Sequence, residues 1–412
     1  MKCKKRPKIR FKGFNDDWEQ RKLGEIVIET IDNRGKNPPY YCDSGIPIID
    51  NFMIKNNGYP DLSNATRYLD EYLLKNFIRQ YNEVDDVLIT LVGNGIGNIA
   101  LFPRKSSVII QNTIGLRFRN DKKFKYYSLL SKNNIIVKLD RGMAQPSIRQ
   151  DELKDIMIEI PNLSEQKKIS TLFTNLDNLI TLHQEKHDKL IEIKKSLLEK
   201  MFPKNNEKIP EIRFKGFSND WKQYKLDDFG KSTGGVSIES EFSDNGKYKV
   251  ISIGSYSETS IYNDQGIRCK LSNRTKDKVL NKDDITMILN DKTSSGNIIG
   301  RVLLIDKSGE YVYNQRTERI EINKKEYDPL FIYELLNAPN VRRKIINESQ
   351  GNTQIYVNWT KIKELLYYIP DIKEQEKLGK YFKNMDNLIN LHQNKLNKLK
   401  KLKESLLRKM FI

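Results

Sequence analysis

The chain is written twice, and that constrains its fold more than any other feature. "IRFKGFNDDWEQRKL" (Ile9–Leu23) returns as "IRFKGFSNDWKQYKL" (Ile212–Leu226), with eleven of fifteen positions identical. "IPNLSEQKKISTLFTNLDNLITLHQEK", from Ile160, returns 209 residues later, from Ile369, as "IPDIKEQEKLGKYFKNMDNLINLHQNK". The likeness runs on into "KSLLEKMF" (Lys195–Phe202) and "ESLLRKMF" (Glu404–Phe411). Between these segments the halves diverge, but Gly142-Met143-Ala144-Gln145 answers Gly351-Asn352-Thr353-Gln354. Likewise Gln111-Asn112-Thr113 answers Gln315-Arg316-Thr317. An internal duplication predicts pseudo-twofold symmetry, with variable middles doing different jobs of the same kind.

The shared segments behind Pro161 and Pro370 read as long helices. Ser164 and Glu165 offer a start, and no Gly or Pro interrupts the first run before Pro203. Leu179, Leu182, Leu190, Ile193, Leu197 and Met201 recur as an apolar stripe, repeated as Leu388, Leu391, Leu399, Leu402, Leu406 and Met410. Such a helix is on the order of 55 Å long, and its mostly polar other faces mean that the stripe wants another helix. The natural partner is its own copy, as a coiled coil. Lys186 and Lys395 interrupt the stripe at equivalent places.

The variable regions carry short β-prone runs such as "DDVLITLVGNGIGNIALF", "SSVIIQNTIGLRF", "DDITMILN" and "NIIGRVLLI", bounded by turn residues. Short helical stretches lie between them, "LDEYLLKNFIRQ" and "YDPLFIYELLNAPNVRRKIIN". The fold class is therefore α+β. A first mixed α/β domain over 1–160 is followed by a long helix over 161–205. A second mixed domain over 206–369 is followed by a second long helix over 370–412.

The 412 residues carry 72 basic and 54 acidic side chains, a net charge of +18. So basic a surface suits a polyanion, and nucleic acid before an acidic membrane. Cys3, Cys42 and Cys269 are scattered, with no CxxC and no even set, so no disulfide framework or zinc cluster is indicated. No run of about eighteen apolar residues spans a membrane, and no apolar run follows the basic start, so the expected compartment is the cytoplasm.

Two motifs suggest chemistry and are outweighed. Asn37-Pro38-Pro39-Tyr40 matches the tetrapeptide with which adenine-N6 methyltransferases hold a flipped base. Its approach, "ETIDNRGK", is polar rather than a buried strand, and the second half has no counterpart. The glycine-rich "LVGNGIGNIALF" runs into another strand-like segment, Ile99 to Phe102, where a cofactor turn needs a helix. His183 and His187 have the spacing of a helical metal pair, but the second copy keeps His392 and replaces the other by Leu396, so a seam pair is expected and no metal. No nucleophile stands beside a plausible base, so no catalytic residue is assigned.

Side chains suited to DNA are plentiful in the loops. In the first half these are Arg34, Lys36, Tyr40, Tyr41, Asn94, Asn98, Asn112, Arg141, Gln145, Ser147 and Arg149. In the second they are Ser255, Tyr256, Lys292, Thr293, Asn297, Arg316, Asn352 and Gln354. Arg reads guanine, Asn and Gln read adenine, and Lys, Ser and Thr hold phosphates.

The arrangement resembles the specificity subunit of bacterial Type I restriction–modification systems over essentially the whole chain. The resemblance rests on "IRFKGFNDDWEQRKLGEI" and its copy, on Gly142 and Gly351 with their glutamines, and on Pro161-Glu165-Gln166 and Pro370-Glu374-Gln375. It implies two target-recognition domains separated by two antiparallel conserved helices, each domain reading half of an asymmetric bipartite site in double-stranded DNA. It also implies two modification subunits that bind S-adenosylmethionine and methylate adenine, and two restriction subunits that use ATP and magnesium, leaving this chain without a cofactor. Three other readings stay open on the sequence: a specificity module of another restriction class, a methyltransferase in its own right, and a coiled-coil scaffold.

Overall fold

In the computed structural model, residues 6–35, 37–142, 146–204 and 207–412 are described. The chain forms two compact units, Met1–Glu185 with Gln393–Ile412, and Lys186–His392. Each unit thus takes part of both copies of the long helix.

The first unit contains β1 (Glu19–Lys22), β2 (Val27–Ile31), β3 (Val87–Thr90), β4 (Ile99–Leu101), β5 (Thr113–Phe118), α1 (Lys122–Ser131), β6 (Met157–Ile160) and the start of α2 (Leu163–Lys200). Strands β2, β5, β3 and β4 lie side by side in that order as an antiparallel sheet. β1 pairs with β6, Glu19 opposite Ile160. The apolar run of β3 follows from its position: Val87 and Ile89 join Trp18, Phe124 and Phe173 in one core, while Leu88 joins Ile31 and Phe102 in another. A strand covered on both faces loses the usual polar alternation.

The second unit repeats this with β7 (Lys222–Lys225), β8 (Gly230–Gly234), β9 (Ile285–Ile288), β10 (Val302–Leu304), β11 (Thr317–Ile322), α3 (Pro329–Asn337), β12 (Leu366–Ile369) and the start of α4 (Ile372–Met410). Its sheet order is β8, β11, β9, β10, again antiparallel, and β7 pairs with β12. Asp121 and Asp328 cap α1 and α3 in the same way, accepting from the backbone N–H groups of Phe124 and Phe331.

The repeated signatures are the joints of this frame. Arg10 donates to both oxygens of Glu165 at 2.7 and 2.8 Å, and Arg213 does the same to Glu374 at 2.8 Å twice. Both carboxylates are buried, so removing either arginine would strand a charge. Gln166 donates to the Pro161 carbonyl at 2.7 Å, and Gln375 to that of Pro370 at 3.0 Å. The helices begin at Leu163 and Ile372, one turn tied by Asn162 and Asp371, which accept from the N–H groups of Glu165 and Glu374. The cap is therefore Asn162 rather than Ser164.

The buried stripe of α2 runs Ile169, Phe173, Leu176, Ile180, His183, His187, Leu190, Lys194 and Leu197 and continues just past the helix end to Met201, none of them exposed. The same positions in α4 are Leu378, Phe382, Met385, Ile389, His392, Leu396, Leu399, Lys403, Leu406 and Met410, also none exposed. Steps of three and four alternate strictly, the 3.5-residue period of a supercoiled seam. This corrects the stripe read from sequence. Leu179, Leu182 and Ile193, with their copies Leu388, Leu391 and Leu402, lie on a neighbouring face and are exposed. Lys186 and Lys395 are exposed too, and the polar members of the seam are Lys194, Lys403 and the histidines.

Within each unit the two helix segments run antiparallel. In the first, Lys403 pairs with Asp177 at 2.5 Å and the Phe173 and Phe411 rings lie 5.8 Å apart. In the second, Lys194 pairs with Asp386 at 2.7 Å and the Phe202 and Phe382 rings lie 5.9 Å apart. Met410 and Phe411 are thereby built into the core of the first unit, and Met201 and Phe202 into that of the second.

Candidate nucleic-acid interface

In a sheet ordered β2, β5, β3, β4, antiparallel pairing brings the carboxyl ends of β2 and β3 to the amino ends of β5 and β4. In the first unit that end gathers residues 32–35, 37, 91–98, 111–112 and 146–149. The last segment is stitched on by Gly93 N–H donating to Pro146 at 2.9 Å and Ile148 N–H to Leu91 at 2.8 Å. In the second unit the same end gathers 235–239, 289–300, 314–316 and 350–357, with Val357 N–H donating to Leu289 at 2.9 Å.

An open cleft of about 510 Å³ lies at this end of the first unit, lined by Asp32, Arg34, Gly35, Asn37, Val92, Gln111 and Asn112. Arg34 donates to Asp32 at 2.9 and 2.6 Å. Burial works against the Asp32 charge, but the Arg34 guanidinium and N–H still hold the carboxyl below its ordinary value. The Asn37 Oδ1 accepts from Gln111 Nε2 at 2.7 Å. At the matching place in the second unit Gln315 Nε2 donates to Glu239 at 3.0 Å. Hydrogen bonds from Ser237 and Asn314 hold Glu239 down at about 2, so it is ionised at any working pH.

The candidates from sequence fall into distinct groups. Arg34 and Asn112 line the cleft. Tyr40, Asn94 and Arg149 are exposed, and Tyr41 lies under the guanidinium of Arg67, 4.6 Å from its ring centre. Arg141 pairs with Glu152, and the Ser147 N–H donates to Asp140 at 2.8 Å. Asn98 is turned inward, donating to Ile54 at 2.8 Å and accepting from Asn56 at 3.1 Å. Lys36 and Gln145 lie outside the described residues.

In the second unit Lys292, Arg316, Asn352 and Gln354 are exposed. Thr293 donates to Asp291 at 2.8 Å and Asn297 to Glu258 at 2.8 Å. Ser255 and Tyr256 are corrected: both are buried, and the Ser255 hydroxyl donates inward to the Val250 carbonyl at 3.2 Å. A polar run that resembles a loop instead closes a turn under the sheet. Asp32 and Gln111, with Gln315 and Glu239, were not among the sequence candidates, and Asn37 entered only through the outweighed tetrapeptide. The repeated Gln-x-Thr was the signal that could have found the glutamines.

The motifs that suggested catalysis occupy structural places. The approach read as polar does begin in a strand, since Glu29-Thr30-Ile31 end β2 and Ile31 is buried, but Asn37 stands in the loop beyond it. The glycine-rich segment is the connection between antiparallel β3 and β4. Gly97 sits there at φ +75°, where a Cβ would come 2.7 Å from the Val137 side chain. His183 and His187 are half-buried in the α2 seam, and no group of three metal-ligating side chains occurs among the described residues. Among those residues no helix is long and apolar enough to cross a membrane.

A family profile described as "Type I restriction modification DNA specificity domain" matches twice, over residues 15–192 and 218–401. The Type I restriction enzyme MjaVIII specificity subunit of Methanocaldococcus jannaschii is 24% identical over 386 residues, covering 90% of this chain and 86% of that protein. The putative type I restriction enzyme MjaX specificity subunit of the same organism is 23% identical over 402 residues, covering 90% and 87%. Among solved structures, the Type-I restriction-modification system S subunit from M. genitalium aligns over 99% of both chains with a TM-score of 0.62 at 16% identity. A chain from a structure of a type I R-M system, described in terms of complex assembly and conformational transition, covers 95% of this chain and 97% of its own, with a TM-score of 0.53 at 15% identity. With the profile spanning both copies of the repeat, the chain belongs to the family of Type I restriction–modification specificity subunits.

Proposed function

We propose that each unit reads one half of an asymmetric bipartite site in double-stranded DNA, and that methyl transfer and cleavage reside in partner subunits. One observation carries this reading: the same sheet end, built by the same elements in both units, presents different polar side chains. A constant frame with a variable lip is what two readers of two sequences need. The net charge of +18 supplies the phosphate attraction on which such reading rests.

Partner number follows the repeat. Leu179, Leu182 and Ile193 on α2 and Leu388, Leu391 and Leu402 on α4 are all at least 40% exposed and occupy equivalent positions. Exposed apolar side chains duplicated in this way suit two copies of one partner, which we assign to two modification subunits carrying S-adenosylmethionine. Two restriction subunits with ATP and magnesium complete the assembly, in the cytoplasm, and this chain holds no cofactor.

The test is adenine-methylation mapping of DNA treated with the chain plus its modification subunits. The expected result is a site of two specified blocks around an unspecified spacer, and one continuous block would contradict the reading. DNA affinity should fall with salt at a log–log slope of roughly −4 or steeper. Calorimetry should detect no S-adenosylmethionine binding by the chain alone.

A further inference from the structure

Two residues at the reading end are held in a backbone conformation that side chains disfavour. Asn112 has φ 63° and Arg316 φ 70°. Each directly precedes the first residue of the equivalent strands β5 and β11, and each follows the glutamine that donates across the lip. Their carbonyls do the same work: Asn112 accepts from Leu91 N–H at 2.6 Å, and Arg316 from Leu289 N–H at 2.9 Å. Glycine would adopt this left-handed geometry without strain, yet neither copy uses it.

Several neighbouring polar groups are spent on the protein. Arg34 is tied to Asp32, Arg141 to Glu152, and Asn297 to Glu258. The side chains of Asn112 and Arg316 make no hydrogen bond or ion pair among the described residues. Asn112 lines the cleft and Arg316 is exposed. Asn112 and Arg316 thus present an uncommitted polar side chain at the same structurally defined point of each unit, where the backbone itself is fixed by the strand that follows.

The two side chains match different bases. An asparagine amide offers one donor and one acceptor, which fit N7 and N6 of adenine. A guanidinium offers two parallel donors, which fit N7 and O6 of guanine. We infer that this single position sets one base pair in each half-site, A·T through Asn112 and G·C through Arg316. The inference rests on the proposed reading of a bipartite site and goes beyond it by naming the residue and the base.

The test uses the full chain, assembled with its modification subunits and supplied with S-adenosylmethionine and genomic DNA, followed by mapping of methylated adenines. Arg316→Gly keeps the left-handed backbone and removes only the reading group. It should leave the first block intact and make one G·C pair of the second indifferent, losing roughly 5- to 150-fold discrimination there. Asn112→Gly should do the same to one A·T pair of the first block alone. Arg316→Asn should convert the G·C pair to A·T, which a misfolded variant could not do. An unchanged site, a uniform loss of methylation at every site, or a change in the wrong block would each overturn the inference, the second marking Arg316 as a phosphate contact. A wild-type complex without a bipartite site would instead defeat the proposed function, before any variant is compared.

Discussion

The two units share a frame and differ in what that frame buries. Where the first unit places Tyr127 on α1, its hydroxyl donating to Asp177 at 2.8 Å, the second places Glu334 on α3, 3.1 Å from Lys194. Where β5 carries Ile114, β11 carries Glu318. Burial raises Glu334, with Lys194 opposing and Asp386 reinforcing, and burial likewise raises Glu318, to about 7, against Lys278. The lesson is that duplication preserved the joints, Arg10–Glu165 and Arg213–Glu374, while the interior positions around them were free to acquire charge.

The widest consequence of the shared frame is that one half should be able to stand in for the other. Residues 1–205 alone lack Leu399, Leu406, Met410 and Phe411, which pack on the first unit's core, but a second copy carries Leu190, Leu197, Met201 and Phe202 at the same helix positions. Each such burial contributes about 1.5–3 kcal/mol, so the fragment should sediment as a dimer at micromolar concentration. Leu190→Asp with Leu197→Asp should leave it monomeric. A monomer without those changes would break the equivalence of the two units.

A narrower test separates the units inside the full chain. Phe411→Ala should destabilise the first unit by about 3–5 kcal/mol and spare the second, and Phe202→Ala should do the reverse. Hydrogen exchange read peptide by peptide distinguishes the two patterns. Smaller and symmetric effects are expected from the joints: Arg10→Ala and Arg213→Ala should each cost about 3 kcal/mol, each in its own unit. Unequal costs would mean that the joints have diverged.

The least effect, and the one that sharpens the contrast, concerns pH. A carboxyl raised by burial, Glu318 to about 7, binds its proton more tightly in the folded unit than in the unfolded chain. Its contribution is complete below the unfolded value of about 4.3 and is lost as pH rises through about 7. The second unit should therefore lose stability across that window relative to the first, and Glu318→Gln and Glu334→Gln should each flatten the dependence. Equal pH profiles for the two units would remove the buried carboxylates from the account.

Legibility followed locality. The strand runs, the long helices and the repeated signatures were visible because periodicity and identity are properties of neighbouring residues. The phase of the helix seam was not, because α2 carries two apolar stripes. Leu179, Leu182 and Ile193 compete with Ile180, Leu190 and Leu197, and the choice is made by what packs against the helix. Ser255 was misread for a related reason: whether a hydroxyl faces solvent or closes a turn depends on the chain folded over it. At the cleft, Asn37 and Gln111 are separated by 74 positions, and only the sheet brings the amides to 2.7 Å.

From residues alone it follows that this chain builds one architecture twice and that its variable middles differ in purpose. Which helix end completes which core does not follow. "KMF" closes both copies of the repeat, at Met201-Phe202 and Met410-Phe411, and identical letters cannot say that each enters the core built mainly by the other half. Apolar burial is non-directional and takes any side chain of the right size that reaches the gap. Reach is set by two antiparallel helix segments within each unit, so that decision belongs to the tertiary structure.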